Sequence, residues 1–406
     1  MTTRLCSETP SGLAQSLFLA TVLAAGCGPD AVPGGGDITT TVDTVGGVIR
    51  VANTGTPPQW ELTRVVSIGP RSLTAVESPE EFGRVTSAAL GPDGALFIAD
   101  DVNDEIKVFG LDGAHRRTFG RFGEGPGEFS GLYSLAWVGD RLLTLDFGVG
   151  RIGELSAEGA WLGQRDVPSG FTGSPSQLRF FPVGPDEAFA AGLRTGPAGL
   201  ELVFVGHDSR GVTGDTLSYM RSPAAAGSTI ICRYEGGISA FEVPFRPRLV
   251  QHPGGGGVMF VALTDAYRIA VTRGDGDTLR VIERTLPPEP VSDEEWAAAN
   301  QAFEAFRADY PDASCDPRRP DRPDAKPFIA ALHVAPDGRL WVEVVRTAGN
   351  RWELFDVEGR LLASLPVRPQ KERAAPAFGS EHMVTIRRDS LDLDHVDVWR
   401  IDPGGR

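Results

Sequence analysis

Six times along this chain a short apolar segment of strand character follows a tight turn, and this periodicity constrains the possible fold more than any other feature. The segments are Leu96-Phe97-Ile98-Ala99-Asp100, Leu142-Leu143-Thr144-Leu145-Asp146, Ala188-Phe189-Ala190-Ala191-Gly192, Met259-Phe260-Val261-Ala262-Leu263, Leu340-Trp341-Val342-Glu343-Val344 and Met383-Val384-Thr385-Ile386-Arg387. Turn signals such as Gly91-Pro92-Asp93-Gly94, Gly139-Asp140 and Ala335-Pro336-Asp337-Gly338 come before them, and apolar stretches such as 85–90 and 332–334 come before the turns. A further alternating stretch follows, as at 105–109, 268–271 and 352–355, and then, in several units, a glycine turn (111–113, 357–359) and a fourth strand such as 361–365. Each unit therefore reads as four short antiparallel strands.

A four-stranded sheet cannot bury both of its faces alone. Radial stacking of such sheets around an axis solves that problem, so the expected fold is all-β: a six-bladed β-propeller of four-stranded antiparallel blades with one helical insertion. The 50 Gly and 31 Pro spread through the sequence suit many tight turns. The chain ends supply a check. After the sixth segment only one more strand, 395–401, precedes the terminal Asp402-Pro403-Gly404-Gly405-Arg406, so one strand is missing from the last blade. Residues 60–68 have strand character and precede the first unit, and they are expected to complete that blade and cover its edge.

One unit carries a more specific signal. Residues 92–109, from Pro92-Asp93-Gly94 through Asp100-Asp101-Val102-Asn103-Asp104 to Val108-Phe109, resemble an NHL-type repeat, and the glycine-rich 118–129 that follows resembles the connection between its blades. The resemblance implies a six-bladed propeller of the kind found in bacterial envelope proteins. It implies no particular activity.

The spacing is interrupted twice, at about 222–245 and 287–327, and each insertion joins two blades and carries one cysteine, Cys232 or Cys315. In an oxidising compartment this pair invites a disulfide, worth roughly 4 kcal/mol in the chain-entropy model; two buried free thiols are the alternative. The second insertion predicts one helix, with Ser292 and Glu295 as a capping box, Trp296, Ala299, Phe303 and Phe306 along one face, and Pro311 as its end. Its apolar face is expected to pack over the rim of the propeller.

The apolar run 17–26 is too short to span a bilayer and ends in Ala25-Gly26-Cys27, which resembles the bacterial lipoprotein signal whose cysteine is acylated. Residues 1–27 are thus read as a signal peptide, 28–58 as a flexible tether with a short strand at Val48-Ile49-Arg50-Val51, and 59–406 as the propeller, lipid-anchored in the cell envelope, periplasmic or associated with the outer membrane. The alternative is an ordinary cleaved signal and secretion. A net charge of -15 argues against nucleic acid, whose phosphates are bound by neutralising them.

Candidate site residues fall into two sets. Those just after the second strands read as a polar ring, with Asp100 and Asp101, Asp146, Arg194, Asp265, Arg346, Arg387 and Arg388 either facing a ligand or serving ordinary turn chemistry. Entrances to the inner strands supply Tyr133, Arg179, Phe245, Arg246, Arg248 and His333, with Arg246 and Arg248 placed to grip a carboxylate or phosphate or to bridge to blade carboxylates. From these the binding candidates are Asp101, Tyr133, Asp146, Arg194, Arg246, Arg248, Asp265 and Arg346. The histidines are scattered singly, and the asparagines Asn53, Asn103, Asn300 and Asn350 do not reproduce the metal-holding pattern of lactonase-type propellers. The leading functional expectation is a monomeric, non-enzymatic lipoprotein without a cofactor. It binds an envelope protein, peptide or glycan through its loop-rich face. The alternative is a metal-dependent hydrolase or lyase of a small polar substrate, with calcium on Asp101, Asp146 and Asp265.

Overall fold

Apolarity falls with distance from the blade interiors, and that gradient organises the fold. The second strand of the first blade, Leu96–Asp100, is buried at every position, as befits a strand packed on both faces by neighbouring sheets. Trp161–Asp166, the outer strand of the second blade, instead alternates between half-buried and exposed residues. A computed structural model describes residues 36–70, 78–167, 179–196, 199–220, 229–274, 276–318, 320–371 and 374–404. The signal segment 1–27 with Cys27, and residues 28–35 and 222–228, lie outside the described residues.

The six repeat units form six antiparallel blades, each with its strands in sequence order from the inside out. The inner strands are Val85–Leu90, Leu132–Val138, Arg179–Gly184, Leu249–Gly254, Ile329–Val334 and Ala377–Phe378. The last blade takes its outer strand from the other end of the chain: Glu61–Ile68 pairs with Asp394–Asp402 in the register Val396 to Ile68 and Asp402 to Glu61. First and last blades meet in a shared core containing Val85, Leu96, Ile98, Val384, Val396 and Val398. The Val85 N–H donates to Asp394 Oδ2 at 2.8 Å across this junction.

The tether expected over 28–58 is corrected for most of its length. Asp37–Val45 and Val48–Thr56 form a hairpin. The second of these strands adds in parallel to Thr278–Arg284, the outer strand of the fourth blade, making a six-stranded sheet. The turn is Gly46-Gly47 with φ of 59° and 85°, a two-residue connection that only glycine makes without strain. Asn53, fully buried, fixes the hairpin to the fifth blade. Its Nδ2 donates to the Gly359 carbonyl at 3.0 Å, and its Oδ1 accepts from the Leu361 N–H at 3.0 Å. Beside it, the buried Arg284 pairs with Glu353 at 3.2 Å and donates to the Gly55 carbonyl at 2.8 Å.

The two insertions combine into one small unit. Thr229–Tyr234 lies between Gly237–Glu242 and Ser314–Asp316, with Cys232 opposite Cys315 and the two joined as a disulfide. Two helices replace the single one expected: α1 (Asp293–Ala299), with the Ser292–Glu295 capping box in place, and α2 (Gln301–Asp309). They break at Asn300, whose side-chain amide donates to the Trp296 carbonyl and competes with the helical bonding pattern. Their apolar face packs on the small sheet through Phe303, Trp296 and Phe306 against Ile230, Phe241 and Val243, instead of over the propeller rim. The pairing of the cysteines explains why: it holds the sheet directly under the helices.

Replacing Asn53 with alanine leaves the Gly359 carbonyl and Leu361 N–H buried without partners, at a cost of about 1–3 kcal/mol. Urea unfolding of Asn53→Ala should show a midpoint lowered accordingly, with no comparable effect from Thr54→Ala on the same strand.

Candidate binding site on the propeller axis

The inner strand of each blade has a sheet neighbour on one side only, so its other backbone edge needs partners from elsewhere. Side chains of adjacent blades supply them. Ser87 Oγ accepts from Leu135 N–H at 3.1 Å, and Ser134 Oγ accepts from Phe180 N–H at 3.0 Å. Thr86 Oγ1 donates to the Leu132 carbonyl at 2.7 Å, and Arg248 donates to the Ala330 carbonyl at 2.8 Å. Lys371 reaches the Val85 carbonyl at 3.1 Å. These bonds hold the inner strands around a cavity of about 590 Å³.

Its shape follows from one level of the repeat. Opposite Phe97, Leu143, Phe189, Phe260, Trp341 and Val384, which are equivalent in the second strands, stand Ala89, Ala136, Phe181, His252, His333 and Ala377. Three consecutive blades contribute rings and the other three contribute alanine. Ala89 and Ala377 leave space that opens into the cavity, Ala136 is packed in the core between blades, and the rings form one wall. Phe181 meets His252 edge-on at 4.9 Å between centroids, His252 lies 5.7 Å from His333, and His333 lies 5.7 Å from Phe378. Arg179, two residues before Phe181 on the same face of its strand, places its guanidinium over the Phe181 ring at 4.4 Å. The cavity extends to the turns between first and second strands, where Gly91, Gly139, Gly184 and Gly379 line it, with Glu381 exposed there. Those turns lie at the opposite end of the blades from the insertions, which leave outer strands and enter inner ones.

Burial dominates the electrostatics. It takes His252 down to about 3 and His333 well below the usual histidine range, so both are neutral at physiological pH. Burial also lowers Arg179, to about 10, which leaves it charged. Among the described residues no carboxylate or hydrogen-bond partner engages that guanidinium, which rests on the Phe181 ring.

The residues expected to bind are distributed differently. Tyr133 lines the cavity, stacked on Phe147 at 5.8 Å. Asp101 is paired with Arg84, Arg194 with Glu201 at 3.2 Å, and Arg346 with Glu289 at 3.7 Å. Asp146 accepts from the Ser130 and Val149 N–H groups and pairs with Arg151 at 3.6 Å. Arg248 caps the fifth inner strand, Arg246 reaches the Asp321 carbonyl at 3.5 Å, and Asp265 is exposed. Asp100 follows the same logic as Asp146, accepting from the Gly83 and Arg84 N–H groups that lead into its inner strand. Of the carboxylates expected to hold calcium, Asp101 and Asp146 are occupied by arginines and backbone amides while Asp265 is exposed, and among the described residues no three metal-ligating side chains converge. Arg179 and His333 are among the strand-entrance residues read from sequence. His252 is identified only when the inner strands are aligned by the repeat, which places it level with His333.

No protein-family model matches this sequence, and no curated protein matches it. Solved structures are similar at low identity. A protein described as exported, from Bacteroides fragilis, is 12% identical over 84% of this chain and 95% of its own, with a TM-score of 0.37. BamB from Moraxella catarrhalis is 12% identical over 84% of this chain and 99% of its own, with a TM-score of 0.35. Virginiamycin B lyase from Staphylococcus aureus is 11% identical over 90% and 99%, with a TM-score of 0.33. Function does not transfer at this distance.

Two buried histidines and the half-buried His333 set an acid limit on stability. His207, beside Arg165, is lowered to about 4, and it joins His252 and His333. In the unfolded chain these groups take up protons as pH falls below about 6.5, while the folded chain does not, so stability declines from there toward the folded values. Unfolding midpoints should therefore be flat above neutrality and fall between about pH 6.5 and 4.5, before the carboxylates titrate. The triple variant replacing His207, His252 and His333 with glutamine should lose most of that slope.

Proposed function

We propose that this chain is an extracytoplasmic, membrane-tethered binding propeller that receives its ligand in the axial cavity. The observation that carries the reading is the cavity itself. Its volume falls in the range of small-molecule and peptide sites, and its wall combines aromatic rings with a few convergent polar groups. Export is supported by the leader ending at Cys27 and by the Cys232–Cys315 disulfide, since such bonds persist in oxidising compartments.

Binding is favoured over catalysis by the state of the histidines. A general base works best with a pKa near the operating pH, and burial drives His252 to about 3. Such a ring shapes and polarises a wall but accepts a proton poorly. Of the polar residues near the insertions, Arg246 and Arg248 are engaged with backbone carbonyls and Arg346 with Glu289, which favours the axis over the loop-rich face as the proposed site.

Two measurements test the reading. Cys27→Ser should move the chain from the membrane fraction to the soluble envelope fraction. Nile red, a neutral planar fluorophore, should bind the full chain saturably at one site and be excluded by Ala377→Trp, which fills the alanine side of the cavity. Equal binding by a folded Ala377→Trp variant, or no saturable binding at all, would overturn the proposed site.

A further inference from the structure

We infer that the axial cavity selects a monoanionic ligand: a carboxylate carried on an aromatic or branched apolar body, with Arg179 holding the carboxylate. The inference rests on the cavity being the binding site and adds the chemistry of what enters it.

Arg179 differs from the other half-buried and buried cations, which either pair with a carboxylate or, like Arg117, Arg280 and Arg368, donate to a backbone carbonyl. Lys107 pairs with Asp100, Arg151 with Asp146, Arg284 with Glu353 and Arg387 with Asp397. Arg179 is half-buried in the cavity wall, and a guanidinium drawn out of bulk water without a counter-charge is destabilising. The Phe181 ring beneath it offsets part of this and holds one side of the group, leaving the N–H donors without a partner among the described residues. A planar carboxylate matches that fork of donors, which a point charge such as ammonium would not orient.

The charge count sets the valence. Of the groups lining the deep part of the cavity, His252 and His333 are neutral and Arg179 carries the one positive charge. Glu381, the carboxylate in the lining, stands exposed at the turn end, where it disfavours a second negative charge on the ligand. The ligand body meets Tyr133, Phe181, His333 and Phe378, a wall suited to a flat or branched apolar group. Two sources offer this chemistry, a free organic acid and the carboxyl terminus of a peptide ending in an aromatic residue.

Calorimetric titration of the full chain with hydrocinnamate and its neutral amide tests the inference, with the peptide Gly-Gly-Phe and its amide as a second pair. The acids should bind at least about tenfold more tightly than the amides, the loss expected for a charge-assisted hydrogen bond. Arg179→Gln should abolish that preference, and Arg179→Lys should restore part of it. Tighter binding of the peptide than of hydrocinnamate assigns the peptide source, and the reverse order assigns the free acid. Equal binding of acids and amides, or a preference that survives in Arg179→Gln, overturns the inference and leaves the cavity site standing. If Nile red also fails to bind, the cavity site falls with it.

Discussion

The inner edge of each blade is the constraint on which the rest of this propeller depends. A strand at that position satisfies one row of backbone groups within its own sheet and turns the other toward the axis, where the diverging blades are too far apart to form a ladder. The chain answers with side chains placed at the level of need. Ser87 and Ser134 accept N–H groups from the next blade, Thr86 and Arg248 donate to its carbonyls, and Asp394 with Lys371 serves both backbone groups of Val85. Short hydroxyl side chains do this without filling the axis. The same bonds that hold the ring together therefore leave a space inside it.

A second set of polar residues performs the equivalent task just before the inner strands begin. Asp100, Asp146 and Thr264 end or follow second strands, and each accepts N–H groups from the segment leading into the inner strand of its own blade: Gly83 and Arg84, Ser130, and Arg248. All three are fully buried. Their recurrence gives the sequence what looks like a ring of ligand-binding carboxylates. The geometry assigns these three to holding blades in register, and a buried carboxylate with several donors is well suited to that role.

Much of the architecture was legible because it is periodic and local. The second strands, the turns before them, the strand borrowed from residues 60–68 and the cysteine pair all follow from spacing and alternation. The hairpin of residues 37–56 was also written locally, in Gly46-Gly47 flanked by Thr- and Val-rich runs, but its setting among Gly and Pro reads as a tether. What made it structured is not local: Asn53 finds its partners at Gly359 and Leu361, more than three hundred residues away. The site was harder to read for the same reason. His252 and His333 look unrelated along the chain, and only the register of inner against second strands brings them level with Phe181 and opposite three alanines.

That register also explains why the cavity is lopsided and not a central bore. Rings from three neighbouring blades fill one side, while Ala89 and Ala377 vacate the other, so a ligand would be pressed against an aromatic wall with Arg179 at its edge. Half-buried Arg117, Arg280 and Arg368 also lack a carboxylate but each donates to a backbone carbonyl, whereas among the described residues Arg179 donates to nothing. Locations where a chain breaks a rule it otherwise keeps are where function is expected to be placed. The neutral histidines sharpen the point, because a protonated ring beside Arg179 would add like-charge repulsion. Burial keeps both imidazoles uncharged, so the guanidinium remains the single electrostatic feature of an otherwise apolar wall.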